Sequence, residues 1–187
     1  MTTVVDDSPA AVSFAPALRR LYFTRFAFAL VWAALMFVDK SHIGPLGVVL
    51  LIVYPLFDVA AAVVDFRSSG GSKQVRGLQA NMAISLLATA GLAAACASGV
   101  PAVLRVWGAW AIVSGAVQLI VGIGRRAMGG QWPMILSGGI SVLAGASFVM
   151  GASASDPKLS NIAGYAVLGG VFFLVSALRL GSAHKEN

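Results

Sequence analysis

Two charged side chains, Arg25 and Asp58, stand inside stretches that are otherwise apolar. In a bilayer an ionised group near the hydrocarbon centre costs at least about 2.5 kcal/mol, so such a charge pairs, faces a polar interior or serves function. Counted from the basic ends of their segments, Arg25 is about five residues deep and Asp58 about seven, which sets both roughly 8 to 11 Å below the surface at 1.5 Å per residue. They can pair. Gln79, Asn81 and Gln118 fall at comparable or slightly shallower depth, and together these residues outline a polar layer in one third of a helical bundle. Asp58 is the member of that layer able to exchange a proton or hold a cation, with Arg25 beside it. The structural alternative lets Arg25 snorkel to the headgroups while Asp58 accepts hydrogen bonds from its neighbours. Both readings stay open on the sequence.

Other chemistry finds little support. Cys96 is the one cysteine, so no internal disulfide forms, and it reads as a small apolar residue. His42 and His184 lie outside the apolar stretches and on opposite sides of the membrane, which leaves no axial pair for haem and no zinc cluster. No Ser-His-Asp set is available, so no catalytic residues, no cofactor and no metal are assigned, and an enzyme is not expected. The run "GRRAMGGQWPMILSGGISVLAG" (Gly124 to Gly145) is rich in glycine. A phosphate-cradling loop would need a preceding strand and a lysine followed by serine or threonine, and neither is present.

The elements that must position these residues follow from composition. With 58% hydrophobic and 11% charged residues among 187, the chain has too little polar surface to wrap a soluble core. Its hydropathy falls into six blocks, near residues 21–38, 44–64, 77–99, 103–124, 133–150 and 161–178. Each approaches the ~20 residues that cross a ~30 Å hydrocarbon layer. The expected architecture is all-α, a six-transmembrane-helix bundle occupying residues 18–182 between a polar N-terminal tail, 1–17, and a short C-terminal tail, 183–187. The tail carries Asp6, Asp7, Ser8 and Pro9 and lacks the basic start of a secretory signal.

Charge supplies the orientation. Arg19, Arg20, Arg67, Lys73, Arg76, Arg125, Arg126, Arg179 and Lys185 fall on one side of a six-helix threading, and Lys40, Arg105 and Lys158 on the other. The positive-inside rule then puts both termini in the cytoplasm. The net charge of +6 is thereby explained without nucleic acid. The expected partner is the lipid bilayer, with a second copy or another membrane protein as further candidates. Trp107, Trp110, Trp132, Tyr22 and Tyr165 lie near the expected interfaces and read as an aromatic belt. Pro55, inside the second block, frees the carbonyl of Leu51.

An internal repeat relates "IVYPLFDVAAAVVDFRSSGG" (Ile52 to Gly71) to "IVSGAVQLIVGIGRRAMGG" (Ile112 to Gly130), and "LGGVFFLVSALR" (Leu168 to Arg179) follows the same outline. The chain therefore reads as three repeated helical hairpins. Small residues recur along single faces: Gly108, Ala111, Gly115 and Gly122 in the fourth block, Ser137, Ser141 and Gly145 in the fifth, and Gly170 in the sixth. Such seams let backbones approach closely, which matters in lipid because packing holds helices together there.

The stretch "VWGAWAIVSGAVQLIVGIGRRAMGGQWPMILSGGISVLAGASFVMG" (Val106 to Gly151) resembles the HdeD-type family of short-repeat bacterial membrane proteins. The likeness lies in the order of a Gly-rich helix with Gln-Leu-Ile, basic residues, Gly-x-Trp, and a Gly-Gly-Ile-Ser helix. Over the first three blocks Pro55 and Asp58 stand where Gly115 and Gln118 stand in the fourth. The resemblance implies a six-helix inner-membrane protein with a role in tolerance of acid or envelope stress, and it brings no catalytic or binding residues. A small proton- or solute-conducting transporter or channel using Asp58 is one alternative, and a membrane scaffold or assembly partner is a second.

Overall fold

A computed structural model describes residues 9–38, 43–68, 75–124, 126–128 and 131–183. Within them lie six α-helices: α1 (Pro9–Val38), α2 (Pro45–Ser68), α3 (Val75–Cys96), α4 (Val100–Gly124), α5 (Trp132–Gly151) and α6 (Ser160–Ala183). A single 3₁₀ turn, Arg126–Met128, follows α4. No strand occurs among the described residues.

Local sequence explains the boundaries. Pro9, Pro45, Pro101 and Pro133 all sit in a first helical turn, where the missing N–H would have had no partner and the fixed φ favours the helix. α3 stops before Gly99, whose φ of +89° is one that side chains oppose, and the chain turns there directly into α4. α1 begins earlier than expected: the stretch from Pro9, read as tail, is helical and runs through Pro16. Its composition, "PAAVSFAPALRR", is largely helix-forming once the proline at its start is counted as an initiator.

Each helix contains a window long and apolar enough to cross a membrane. Between 22% and 33% of each window is buried inside the protein, so much of every span lies outside the packed core. The outward side chains are apolar, with Leu87 74% and Ile120 72% exposed. In water such a surface would associate, and in lipid it is the solvated face.

The helices form a ring in chain order, α1 beside α2, α2 beside α3, and so on to α6, which returns to α1. The closest packing joins α4 to α5, α1 to α6 and α2 to α3, whereas α5 and α6 touch sparsely. Arg19, Arg20, Arg67, Arg126 and Arg179 are exposed at what is here named the basic end; Arg105 and Lys158 are exposed toward the far end. Lys40, His42, Lys73, Arg125, His184 and Lys185 lie outside the described residues.

The two halves of the ring differ. In the far half Trp32, Met36, Leu51, Leu92, Val103, Leu104, Trp107, Leu159 and Ile162 are almost fully buried in one cluster. In the basic half the ring surrounds a cavity.

Glycines set the closeness of the α4–α5 pair. A Cβ on Gly108 would stand 2.6 Å from the carbonyl oxygen of Gly145, and one on Gly145 would stand 2.5 Å from that of Gly108. Gly115 and Gly138 face each other in the same reciprocal way, at 2.6 and 2.8 Å. Gly122 meets Ile135, Gly170 meets Ala29 of α1, and Ala111 is buried. Ser141 belongs to the seam, buried against Gly115. Ser137 does not: it lines the cavity, and Gly138, one residue on, takes the seam position because a step of one residue turns a helix face by about 100°.

Candidate functional site

The cavity has a volume of about 670 Å³ and draws its lining from all six helices. That is the range of small-molecule sites, which are mostly apolar with a few polar groups that fix orientation. At its basic mouth stand Leu18, Asp65, Gly77, Gln131 and Arg179, and at its deep end Tyr54, Trp110, Ser141 and Tyr165.

Asp58 is the centre of its polar wall. Arg25 on α1 donates from Nη2 to Asp58 Oδ1 on α2, and the two form a salt bridge. Asn81 Nδ2 and Ser85 Oγ, both on α3, donate to Asp58 Oδ2 at 2.7 and 2.8 Å. Three helices therefore converge on one carboxylate. The Arg25 guanidinium also lies over the Phe173 ring of α6, 4.2 Å from its centroid, a cation–π contact that adds a fourth helix. Side chains of Arg25 and Asp58 are 17% and 13% exposed, so neither reaches bulk headgroups. Snorkelling of Arg25 is thereby replaced by pairing.

Of the other residues assigned to the polar layer, Gln118 lines the cavity but takes no part in the Asp58 hydrogen bonds. Gln79 has to be removed from the layer: it is exposed on the outer side of α3. Gln79 and Asn81 are two residues apart, hence about 200° apart around a helix, and cannot share a face. Ser85 was missed, although its position four residues after Asn81 places it one turn along the same face.

The floor is aromatic. Trp32 and Trp107 stack at 5.4 Å between centroids, Tyr54 meets Trp32 at 4.7 Å and Trp107 at 5.4 Å, and Trp110 packs edge-on against Trp107 at 5.3 Å. Trp107 is fully buried, so the belt assignment fails for it, and Trp110 lines the cavity. Their rings fill the bundle centre, where large apolar area is worth most. Tyr22 and Tyr165 also turn inward to the cavity, whereas Trp132, 71% exposed, keeps a position open to the surroundings. Trp32 Nε1 donates to the Leu50 carbonyl at 2.7 Å, one residue before the carbonyl that Pro55 frees. This bond ties α1 to α2 beside the buried proline.

On the α5–α6 side the floor is a single aromatic contact. Tyr165 donates to Ser141 Oγ at 2.8 Å, Ser141 donates to the Ser137 carbonyl at 2.8 Å, and the Tyr165 ring packs edge-on against Phe148 at 5.7 Å. Phe148 and Leu104 also line a small depression of about 110 Å³ entering from the far end, beside Asp156, Lys158 and Asn161. The Lys158–Asp156 pair at that rim is exposed and adds little stability.

No group of three or more His, Cys, Asp or Glu side chains that could hold a metal ion occurs among the described residues. Trp107 Nε1, Trp110 Nε1 and Ser114 Oγ are buried without a hydrogen-bond partner.

Compared with protein-family models, curated proteins and solved structures, the chain matches none.

Proposed function

We propose that this is a non-catalytic multi-pass membrane protein that holds a small guest in a cavity open toward the cytoplasm and does not conduct through it. The observation that carries the reading is the blind end of the cavity: the Trp32–Tyr54–Trp107–Trp110 cluster and the buried aliphatic half of the ring lie across its path. The state of Asp58 supports it. With both carboxylate oxygens occupied by Arg25, Asn81 and Ser85, Asp58 is engaged as a structural acceptor and is poorly placed to work as a free base. The arginines exposed at the basic end support its cytoplasmic placement, because cytoplasmic loops carry an excess of basic residues. The HdeD-type resemblance adds a cellular setting, a bacterial inner membrane and tolerance of acid or envelope stress.

A transporter is the second reading, favoured by the thin Phe148–Tyr165 contact between the cavity and the far-end depression. Proton flux separates the two. Liposomes containing the protein and an enclosed pH-sensitive dye are expected to equilibrate a pH step no faster than empty liposomes, for wild type and for Asp58→Asn alike. Equilibration by wild type faster than by empty liposomes would establish the transporter in its place.

A further inference from the structure

The cavity's lining specifies the kind of guest it suits. Its formal charges cancel, Arg25 and Arg179 against Asp58 and Asp65, so an ionic guest would bring an uncompensated charge into a low-dielectric site. Its walls are largely aromatic and aliphatic, with Tyr22, Tyr54, Trp110 and Phe172 among them, which suits a flat apolar body. The Gln118 amide stands in this wall outside the Asp58 hydrogen bonds, and an amide offers two N–H donors and a carbonyl acceptor.

The ring is also loosest where a membrane-dissolved molecule would enter. α5 and α6 meet at Tyr165 with Ser141 and Phe148. Toward the basic end they turn to different neighbours, α5 to α4 at Gly122 and α6 to α1 through Phe173 and Tyr22. Met134 on α5 and Leu168 on α6 line the cavity and are still 37% and 41% exposed. The α5–α6 side is thus the thinnest part of the wall around the cavity.

Resting on the binding function proposed above, we infer that the guest is an uncharged, membrane-dissolved molecule with a flat apolar body and a hydrogen-bond-accepting group. It enters between α5 and α6, and the Gln118 amide donates to its acceptor.

Three probes of one skeleton test this: 9-fluorenone, which carries a carbonyl acceptor, fluorene, which lacks it, and fluorene-9-carboxylate, which is charged. Binding is measured by equilibrium dialysis of full-length protein in lipid nanodiscs against empty nanodiscs. Fluorenone is expected to bind about fivefold more tightly than fluorene, the worth of one net hydrogen bond, and the carboxylate more weakly than fluorene. Gln118→Leu should erase the fluorenone preference and leave fluorene binding intact, a pattern that a misfolded variant cannot give. Leu168→Trp should slow fluorenone association, and an unchanged rate would overturn entry between α5 and α6. Equal binding of fluorenone and fluorene to wild type would overturn the guest class while leaving the binding function standing. No binding of any probe above empty nanodiscs would overturn that function as well.

Discussion

Asp58 owes its role to its neighbours. A carboxylate buried in a bundle is tolerated when each oxygen has donors, and here the donors come from α1 and α3, so a single side chain joins three helices. Removing either charge strands the other. Asp58→Asn or Arg25→Gln alone is expected to destabilise the fold by about 3–5 kcal/mol, and the double variant by clearly less than the sum. Reversible unfolding in mixed detergent micelles measures all three. Strict additivity would mean that the pair contributes no coupling. Much of this site was legible in the sequence, because two lone charges at similar depth in apolar helices have few ways to be satisfied other than by each other. Gln79 went astray where depth was counted without rotation: it shares a level with Asn81 but faces away from it. Trp107 went astray for a related reason, since nearness to a helix end does not say whether a ring turns to lipid or to the core.

At the level of elements, the α4–α5 pair is held by backbone-to-backbone approach rather than by side-chain interlock. Gly108, Gly115, Gly138 and Gly145 bring main chains within the distance at which a methyl group would strike a carbonyl. Gly145→Ala should therefore cost about 1–3 kcal/mol, the usual range for overpacking. Gly139→Ala, on the same helix with nothing within 4 Å of the added methyl, should be neutral or stabilising by up to about 1 kcal/mol through helix propensity. The thermal unfolding midpoints of the two variants in detergent test the contrast, and equal effects would contradict the seam. The spacing of small residues made this seam readable in α4, where Gly108, Ala111, Gly115 and Gly122 all prove buried. In α5 the choice between Ser137 and Gly138 was not readable, because both are small and adjacent, and only the partner helix decides which one it meets.

Across the whole molecule, the ring divides by depth into a packed aromatic and aliphatic half and a hollow half whose polar groups surround Asp58. The number and positions of the spans were readable from hydropathy blocks. The cavity was not, since a void is a property of how six helices splay, and no single helix encodes it. The central claim is that this void is reached from the basic end and sealed at the other. Single cysteines at Gln118, Ser137 and Ala163, in a Cys96→Ala background, are treated with a membrane-impermeant thiol reagent in right-side-out and inside-out vesicles, with Ser69→Cys marking the side of the basic loops. Cysteines at 118 and 137 are expected to react only from the side on which the Ser69 marker reacts, and the one at 163, buried in the far half, from neither. Reaction at 118 or 137 from the opposite side would mean a continuous aqueous path through the bundle and would contradict the account.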